Sequence, residues 1–205
     1  MENQQPILPT FHIDSLAPDF EARSTLGRIR LSDFRGKWVL LFSHPADFTP
    51  VCTSEFVQFQ KQIEDFDRLN CQLIGLSVDS VHSHVAWLRS IESEFGVSIS
   101  FPILEDVGMN IGRAYGMIND QSLSTSSMRS CFFIDPNGFL RALMHYPMQV
   151  GRSVPEMVRL LSALVETTGK PGSCTEGWQP GDGLVGEDVI RFDQPFKHKV
   201  GSQQK

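Results

Sequence analysis

The sequence predicts an α/β fold around a mixed central sheet, and three features carry that prediction. The apolar run Trp38-Val39-Leu40-Leu41-Phe42 has the length and character of a strand buried on both faces. A β-rich segment is twice followed by a helical pattern. That run leads to Phe56, Phe59, Ile63 and Phe66, spaced by three and four, and residues 72–78 lead to Val81, Val85, Leu88, Ile91 and Phe95. Such repetition implies parallel pairing through right-handed crossovers. The sheet is expected to be mixed because residues 131–134 and 139–144 flank Asp135-Pro136-Asn137-Gly138, a strong hairpin turn.

Taken in order, residues 11–36 hold short alternating patches punctuated by Ala17-Pro18-Asp19-Phe20 and Phe34-Arg35-Gly36, which read as a hairpin covering one sheet edge. Thr49-Pro50 starts the first long helix, with Thr49 as N-cap and Pro50 at the first helical position, where a missing N–H costs nothing. Asp79-Ser80 caps the second, which closes near Gly96. Phe101-Pro102-Ile103-Leu104 is a short extended segment, residues 107–115 allow one or two helical turns, and residues 119–127 read as a polar loop. Ser153 caps a last helix with Val154, Met157, Val158, Leu161, Leu164 and Val165 inward and Gly169 at its end. From Lys170 the composition turns to Gly, Pro and charge, too apolar-poor to fold alone, so residues 170–205 are expected to lie as a tail on the 1–169 body or on a partner subunit.

The length suits one domain with a modest appendage, and 40% hydrophobic content is enough for a core. Lys and Arg number 18 against 24 Asp and Glu, a net charge of −6, which gives no electrostatic footprint for nucleic acid or an anionic membrane. No run approaches the ~18 apolar residues of a spanning helix, and the first ten residues are polar and proline-containing, unlike a signal peptide. A soluble cytoplasmic protein is expected. The four cysteines, at 52, 71, 131 and 174, include no Cys-x-x-Cys, which argues against structural zinc, a dithiol oxidoreductase and a secreted disulfide scaffold. His82-x-His84 is the one close histidine pair; i and i+2 diverge on a helix, so it reads as a solvated face rather than a metal site.

Chemistry concentrates between Ser43 and Phe56. The helix start places Cys52 in a first turn, where free N–H groups and the positive end of the helix dipole favour a thiolate, the nucleophilic form. Ser-His-Pro-Ala-Asp-Phe-Thr-Pro-Val-Cys-Thr-Ser-Glu-Phe resembles the active-site loop of the peroxiredoxins, thiol peroxidases on a thioredoxin-like fold whose signature is Pro-x-x-x-Thr-x-x-Cys. Pro45, Thr49 and Cys52 match it position by position. Ala-Pro-Asp-Phe and the Leu31-x-Asp33-Phe34-x-Gly36-Lys37-Trp38 pattern are similar to the family's N-terminal segment, and the likeness covers nearly the whole chain.

The resemblance implies Cys52 as peroxidatic nucleophile, its backbone N–H and the Thr49 hydroxyl as holders of the peroxide oxygens, and Pro45 as a shield against water. It implies Arg129 as the fixed cation, Arg152 as a second arginine, and Glu55 as a supporting charge that engages Arg152. Ser-His-Pro is similar to the one-Cys subgroup, in which the histidine, here His44, stands close enough to hydrogen-bond an oxidised sulfur; a structural role for His44 is the alternative. Cys174-Thr-Glu-Gly-Trp178-Gln-Pro180-Gly181 resembles instead the resolving-cysteine segment of typical two-Cys members, although Thr175-Glu176 replace the usual Pro-Ala. Cys71 and Cys131 read as buried structural thiols. The expected activity is reduction of hydrogen peroxide and organic hydroperoxides without metal, flavin or haem. Cys174 of a partner subunit resolves the Cys52 sulfenic acid, thioredoxin or a similar thiol donor reduces the disulfide, and the protein assembles as a homodimer or ring of dimers. A one-Cys cycle with an external thiol and a redox-regulated chaperone or peroxide relay are the alternatives.

Overall fold

The computed structural model describes residues 12–118 and 127–186, and the chain divides into two units, residues 1–161 and 162–205. In the first unit a seven-stranded sheet comprises β1 (Glu21–Ser24), β2 (Gly27–Arg30), β3 (Trp38–Ser43), β4 (Cys71–Ser77), β5 (Ile103–Glu105), β6 (Arg129–Ile134) and β7 (Leu140–Tyr146), in the order β2-β1-β5-β4-β3-β6-β7. β3, β4 and β5 run parallel, while β6 lies antiparallel to β3 and β7 to β6. The predicted mixed sheet is therefore present, with the predicted hairpin β1–β2 at one edge. β3 occupies an inner position with all six residues buried, which is why its sequence is continuously apolar rather than alternating.

The helix expected through Phe66 is broken at Gln62 (φ −109°, ψ 17°) into α1 (Pro50–Lys61) and α2 (Ile63–Arg68). Phe56, Phe59 and Phe66 still point into the core, where Phe42 stacks on Phe59 at 4.4 Å and meets Phe56 edge-on at 5.3 Å. Gly75 of β4 allows this close approach: a Cβ there would stand 3.2 Å from the Phe56 ring.

α3 (Val81–Phe95) is capped by the Ser80 hydroxyl, which accepts from the Ser83 N–H, and stops at Gly96 with φ 65°. Its buried face is Val81, His84, Trp87 and Ile91, not the Val81-Val85-Leu88-Ile91-Phe95 line expected; Phe95 is 53% exposed. Trp87 decides the rotation. Its ring packs against Phe56 at 4.7 Å and His44 at 5.1 Å, a larger apolar contact than Val85 or Leu88 offers. α4 (Asn110–Ala114) is short and begins over the Asp106 carboxylate, which accepts from Ile111 N (3.2 Å) and Gly112 N (2.6 Å). Residues 119–126 of the expected polar loop lie outside the described residues. Of the six residues expected inward on α5 (Val154–Thr167), Val154, Met157 and Leu161 are buried, while Val158, Leu164 and Val165 are half-buried.

Within the second unit, Ser173 bridges to Val185 and the buried Trp178 donates from its indole N–H to Asp182 O at 3.1 Å. Cys174 is half-buried, and its sulfur lies 3.9 Å from Ala163 O. Among the described residues no helix is long and apolar enough to cross a membrane.

Candidate active site

Residues 44–49 connect the end of β3 to the start of α1, and this turn sets the position of Cys52. Thr49 is the N-cap (φ −100°, ψ 144°) and Pro50 opens the helix, as the sequence predicts. The Thr49 side chain, however, makes no capping bond; its hydroxyl donates to Ala46 O at 3.0 Å. The N–H groups of the first turn, Cys52 among them, thus keep no intrahelical acceptor and no side-chain cap. Pro45 and Cys52 are both buried, Cys52 completely. Phe48, just before the cap, sits in left-handed backbone (φ 57°), a conformation that a bulky residue adopts where its surroundings over-determine it.

An ion cluster lies against Cys52. Arg129, from β6, directs Nη1 to Cys52 Sγ (3.3 Å) and to Glu55 Oε2 (2.8 Å), while its Nε donates to Met148 O (2.8 Å). Arg152, just ahead of α5, donates its backbone N–H (2.7 Å) and Nε (2.9 Å) to Glu55 Oε1 and its Nη2 to Oε2 (2.8 Å). Its Nη1 satisfies Ser43 O (2.9 Å) and Ser130 O (3.0 Å), and its guanidinium lies 5.3 Å from the Phe42 ring centre. Burial alone would raise the Glu55 carboxyl, but the bonds from Arg152 and the Arg129 charge hold it below its ordinary value. Glu55 is therefore an ionised acceptor between two buried cations, and one excess positive charge remains beside the sulfur. The expected pairing of Glu55 with Arg152 is present, and Arg129 shares the same carboxylate.

Cys131, on the same strand as Arg129, is buried 3.6 Å from Arg152 Nη1, and burial pushes its thiol up despite that cation; burial also raises Cys71. Both therefore behave as inert packed thiols.

A second cluster flanks the loop on the side of α3. His44 and His84 are fully buried, which corrects the reading of the His82-x-His84 pair: His82 is exposed as expected, but His84 points inward. The Asp47 carboxylate takes His44 Nε2 at 2.9 Å and His84 Nδ1 at 2.9 Å, and its backbone N–H donates to Asp79 at 2.9 Å. His84 Nε2 faces Leu104 O at 3.1 Å. Burial would raise the Asp47 carboxyl, yet the two histidine bonds hold it far below the usual carboxylate range. His44, by contrast, is pushed below its ordinary 6.5, first by burial and then, against the pull of Asp47, by the His84 and Arg152 charges.

His44, Asp47 and His84 are also the described residues whose donor atoms converge within 4.8 Å as metal ligands would. Their contacts are those of hydrogen bonds with protons between the atoms, and His84 turns its other nitrogen to a carbonyl, so no lone pair of His84 is left for a cation. Sequence reasoning missed Asp47 and placed His84 on a solvated face. The available signal was the i, i+3, i+6 spacing of Val81, His84 and Trp87, which places the histidine on the buried face once Trp87 is taken as its anchor.

Similarity to known proteins agrees with this geometry. The AhpC/TSA family model matches residues 13–143. A peroxiredoxin of Thermoplasma volcanium is 45% identical over 181 residues, covering 88% of each chain. The solved yeast mitochondrial 1-Cys peroxiredoxin superposes with a TM-score of 0.79 at 41% identity, covering 86% of this chain and 87% of that one. The reduced 2-Cys peroxiredoxin of Plasmodium vivax does so with 0.78 at 32%, covering 85% and 93%. With a thioredoxin-like sheet, a cysteine at the first turn of α1 and an arginine against its sulfur, the chain belongs to the AhpC/TSA family of peroxiredoxins and is a thiol peroxidase.

Proposed function

We propose that Cys52 reduces hydrogen peroxide and small organic hydroperoxides and that Cys174 then resolves the oxidised sulfur. The observation that carries the first half is the 3.3 Å contact of Arg129 Nη1 with a sulfur at a helix N-terminus. The thiolate attacks one peroxide oxygen, an S–O bond forms, the O–O bond breaks, and the distal oxygen leaves as water or alcohol once protonated. Arg129 Nη1 and the free N–H groups of the first turn stand ready as donors for the charge that grows on the oxygens. Thr49 has spent its own proton on Ala46 O, so its lone pairs accept the peroxide O–H and orient it. Pro45 covers the sulfur, and Glu55 with Arg152 holds Arg129 in place. His44 Nδ1 accepts the O–H of the sulfenic acid.

The Cys174 thiol attacks the Cys52 sulfenic sulfur, water leaves, and the disulfide is reduced by thioredoxin or a similar thiol. This reading rests on the Cys-x-x-x-Trp-x-Pro-Gly segment and makes the active unit at least a dimer, with Cys174 supplied by a neighbour. The one-Cys cycle, in which an external thiol such as glutathione reduces the sulfenic acid directly, is supported by the higher identity to the yeast 1-Cys protein, 41% against 32% for the 2-Cys one. Addition of one equivalent of peroxide, followed by a non-reducing gel and intact-mass analysis, separates them. A disulfide-linked dimer is expected; a monomer carrying a single extra oxygen and a free Cys174 establishes the one-Cys cycle. Cys52→Ser should abolish turnover with the fold retained, and residual activity above a few per cent of wild type removes Cys52 from the mechanism.

A further inference from the structure

The His44-Asp47-His84 cluster contains one carboxylate between two imidazoles, and hydrogen-bond geometry determines which imidazole carries the compensating charge. His84 faces acceptors on both sides, Leu104 O at 3.1 Å and the Asp47 carboxylate at 2.9 Å. Each of its nitrogens must therefore carry a proton, and a flipped ring would forfeit both contacts. His44 is different. Its Nε2 meets Asp47 at 2.9 Å, and its Nδ1 has no hydrogen-bond partner although the side chain is fully buried. One proton, on Nε2, satisfies everything that His44 touches.

We propose that His84 is a positioning residue for His44: as the buried imidazolium it supplies the positive charge that Asp47 requires, so His44 stays neutral and its Nδ1 remains a hydrogen-bond acceptor. The ring of His44 packs 5.0 Å from Phe56, which lies one helical turn beyond Cys52 on α1, so His44 sits against the helix that carries Cys52. The proposal rests on the reading that Nδ1 serves the Cys52 sulfenic acid.

The consequence is chemical. An acceptor at Nδ1 binds the protonated form, Cys–SOH, and so disfavours its ionisation. The anion Cys–SO⁻ is the form that attacks a second peroxide, Cys–SO⁻ + H2O2 giving Cys–SO2⁻ + H2O, with one S–O bond formed and the O–O bond broken. Were His84 neutral or absent, the nearest group able to balance the buried Asp47 carboxylate is His44. It would become doubly protonated, turn Nδ1 into a donor, and favour the sulfenate. The charged groups around this balance are Asp47 in the loop, Asp79 behind its N–H, and Arg152 ahead of α5, whose charge also opposes a cation at His44. Leu104 O supplies the remaining contact from β5.

Nitrogen-15 imidazole NMR of the reduced full-length protein at neutral pH tests this without turnover. Wild type should show both nitrogens of His84 protonated and His44 protonated at Nε2 alone; a singly protonated His84 overturns the proposal. In His84→Gln, whose amide still reaches Leu104 O but not Asp47, His44 should become doubly protonated, and a His44 that stays neutral also overturns it. Adding Asp47→Asn to His84→Gln removes the unbalanced carboxylate and should return His44 to the neutral Nε2–H form. Cys52 sulfinate formed per turnover, read by mass spectrometry, should rise roughly tenfold in His84→Gln and fall back in the double variant. An unchanged sulfinate yield alongside the expected spectra would overturn the link between His44 and the sulfenic acid. Wild-type Cys52 that resists peroxide altogether would instead defeat the peroxidase reading and leave the protonation states standing.

Discussion

Replacing Glu55 with Gln keeps the shape of the side chain and removes the charge that joins the two arginines. In the wild type its two oxygens accept four hydrogen bonds, one from Arg129 and three from Arg152, and all three residues are at most 6% exposed. A glutamine offers one oxygen and an NH2 group that faces guanidinium donors, so donors on both arginines lose their acceptor and two buried cations lose their anion. Breaking a buried ion pair from one side costs about 3–5 kcal/mol. That is a large part of the roughly 5–15 kcal/mol that holds a domain together. For a chain of this size the melting temperature should fall by about 6–20 °C. The chemical step should suffer less, because Arg129 Nε is still held by Met148 O at 2.8 Å. Loss of its second tether should slow Cys52 oxidation roughly ten- to a hundredfold, about 1.4–2.7 kcal/mol of barrier. Thermal melts by circular dichroism and single-turnover stopped-flow fluorescence with hydrogen peroxide measure the two effects separately. A melting temperature within two degrees of wild type, or an oxidation rate unchanged to within a factor of two, would refute the claim that the Glu55 charge orients Arg129.

Arg129→Lys replaces a planar fork with a single ammonium that cannot serve Cys52, Glu55 and Met148 O at once, so Cys52 oxidation should slow by roughly ten- to a thousandfold; an unchanged rate shows that another group supplies the charge. Gly75→Val places a branched side chain where even a Cβ stands 3.2 Å from Phe56. It should cost about 1–3 kcal/mol in urea denaturation and slow Cys52 oxidation by tilting α1, and a variant as stable as wild type removes Gly75 from the account. Stability should fall on acidification below about pH 4.5, the ordinary value of a glutamate such as Glu55. His44 has its folded pKa below the ordinary 6.5, so its stabilisation is complete above about that pH and declines as pH falls towards the folded value. Asp47 and Glu55, depressed below 3.8 and 4.5, add stabilisation that is lost as pH falls through their folded values; Asp106, raised by burial, opposes them. A urea midpoint that rises between pH 4.5 and pH 3 contradicts this sign.

The parts of the fold that were legible are those with a local cause. β3 is continuously apolar because it is covered on both faces, Pro50 and Thr49 mark a helix start through backbone geometry, and Asp135-Pro136-Asn137-Gly138 turns because of its own φ preferences. The break at Gln62 has no such cause: nothing in Gln62-Ile63-Glu64 forbids a continuous helix, and apolar spacing carries Phe66 inward on either side of the break. The same division runs through the site. Cys52, Thr49 and Pro45 follow from one contiguous stretch. Arg129 and Arg152, by contrast, gain meaning from Glu55, 74 and 97 residues away from them along the chain. The position of Arg129 on the sulfur side of α1 comes from β6 lying next to β3, a tertiary fact that no spacing encodes.

His84 is the sharpest case, because the helical pattern was visible and its phase was misjudged. Counting aliphatic residues alone favours the Val85-Leu88 side. A single Trp87 buried against Phe56 and His44 outweighs them, since an aromatic side chain carries the larger burial gain. Once Trp87 fixes the rotation, His84, three residues earlier, has to enter the core, and a buried imidazole must find polar partners there. It finds Leu104 O and Asp47, and Asp47 lies between Pro45 and Thr49 in the loop that leads into α1. Trp87, which orients α3 by bulk, therefore also brings His84 against Asp47, and a smaller side chain at position 87 should loosen both contacts at once.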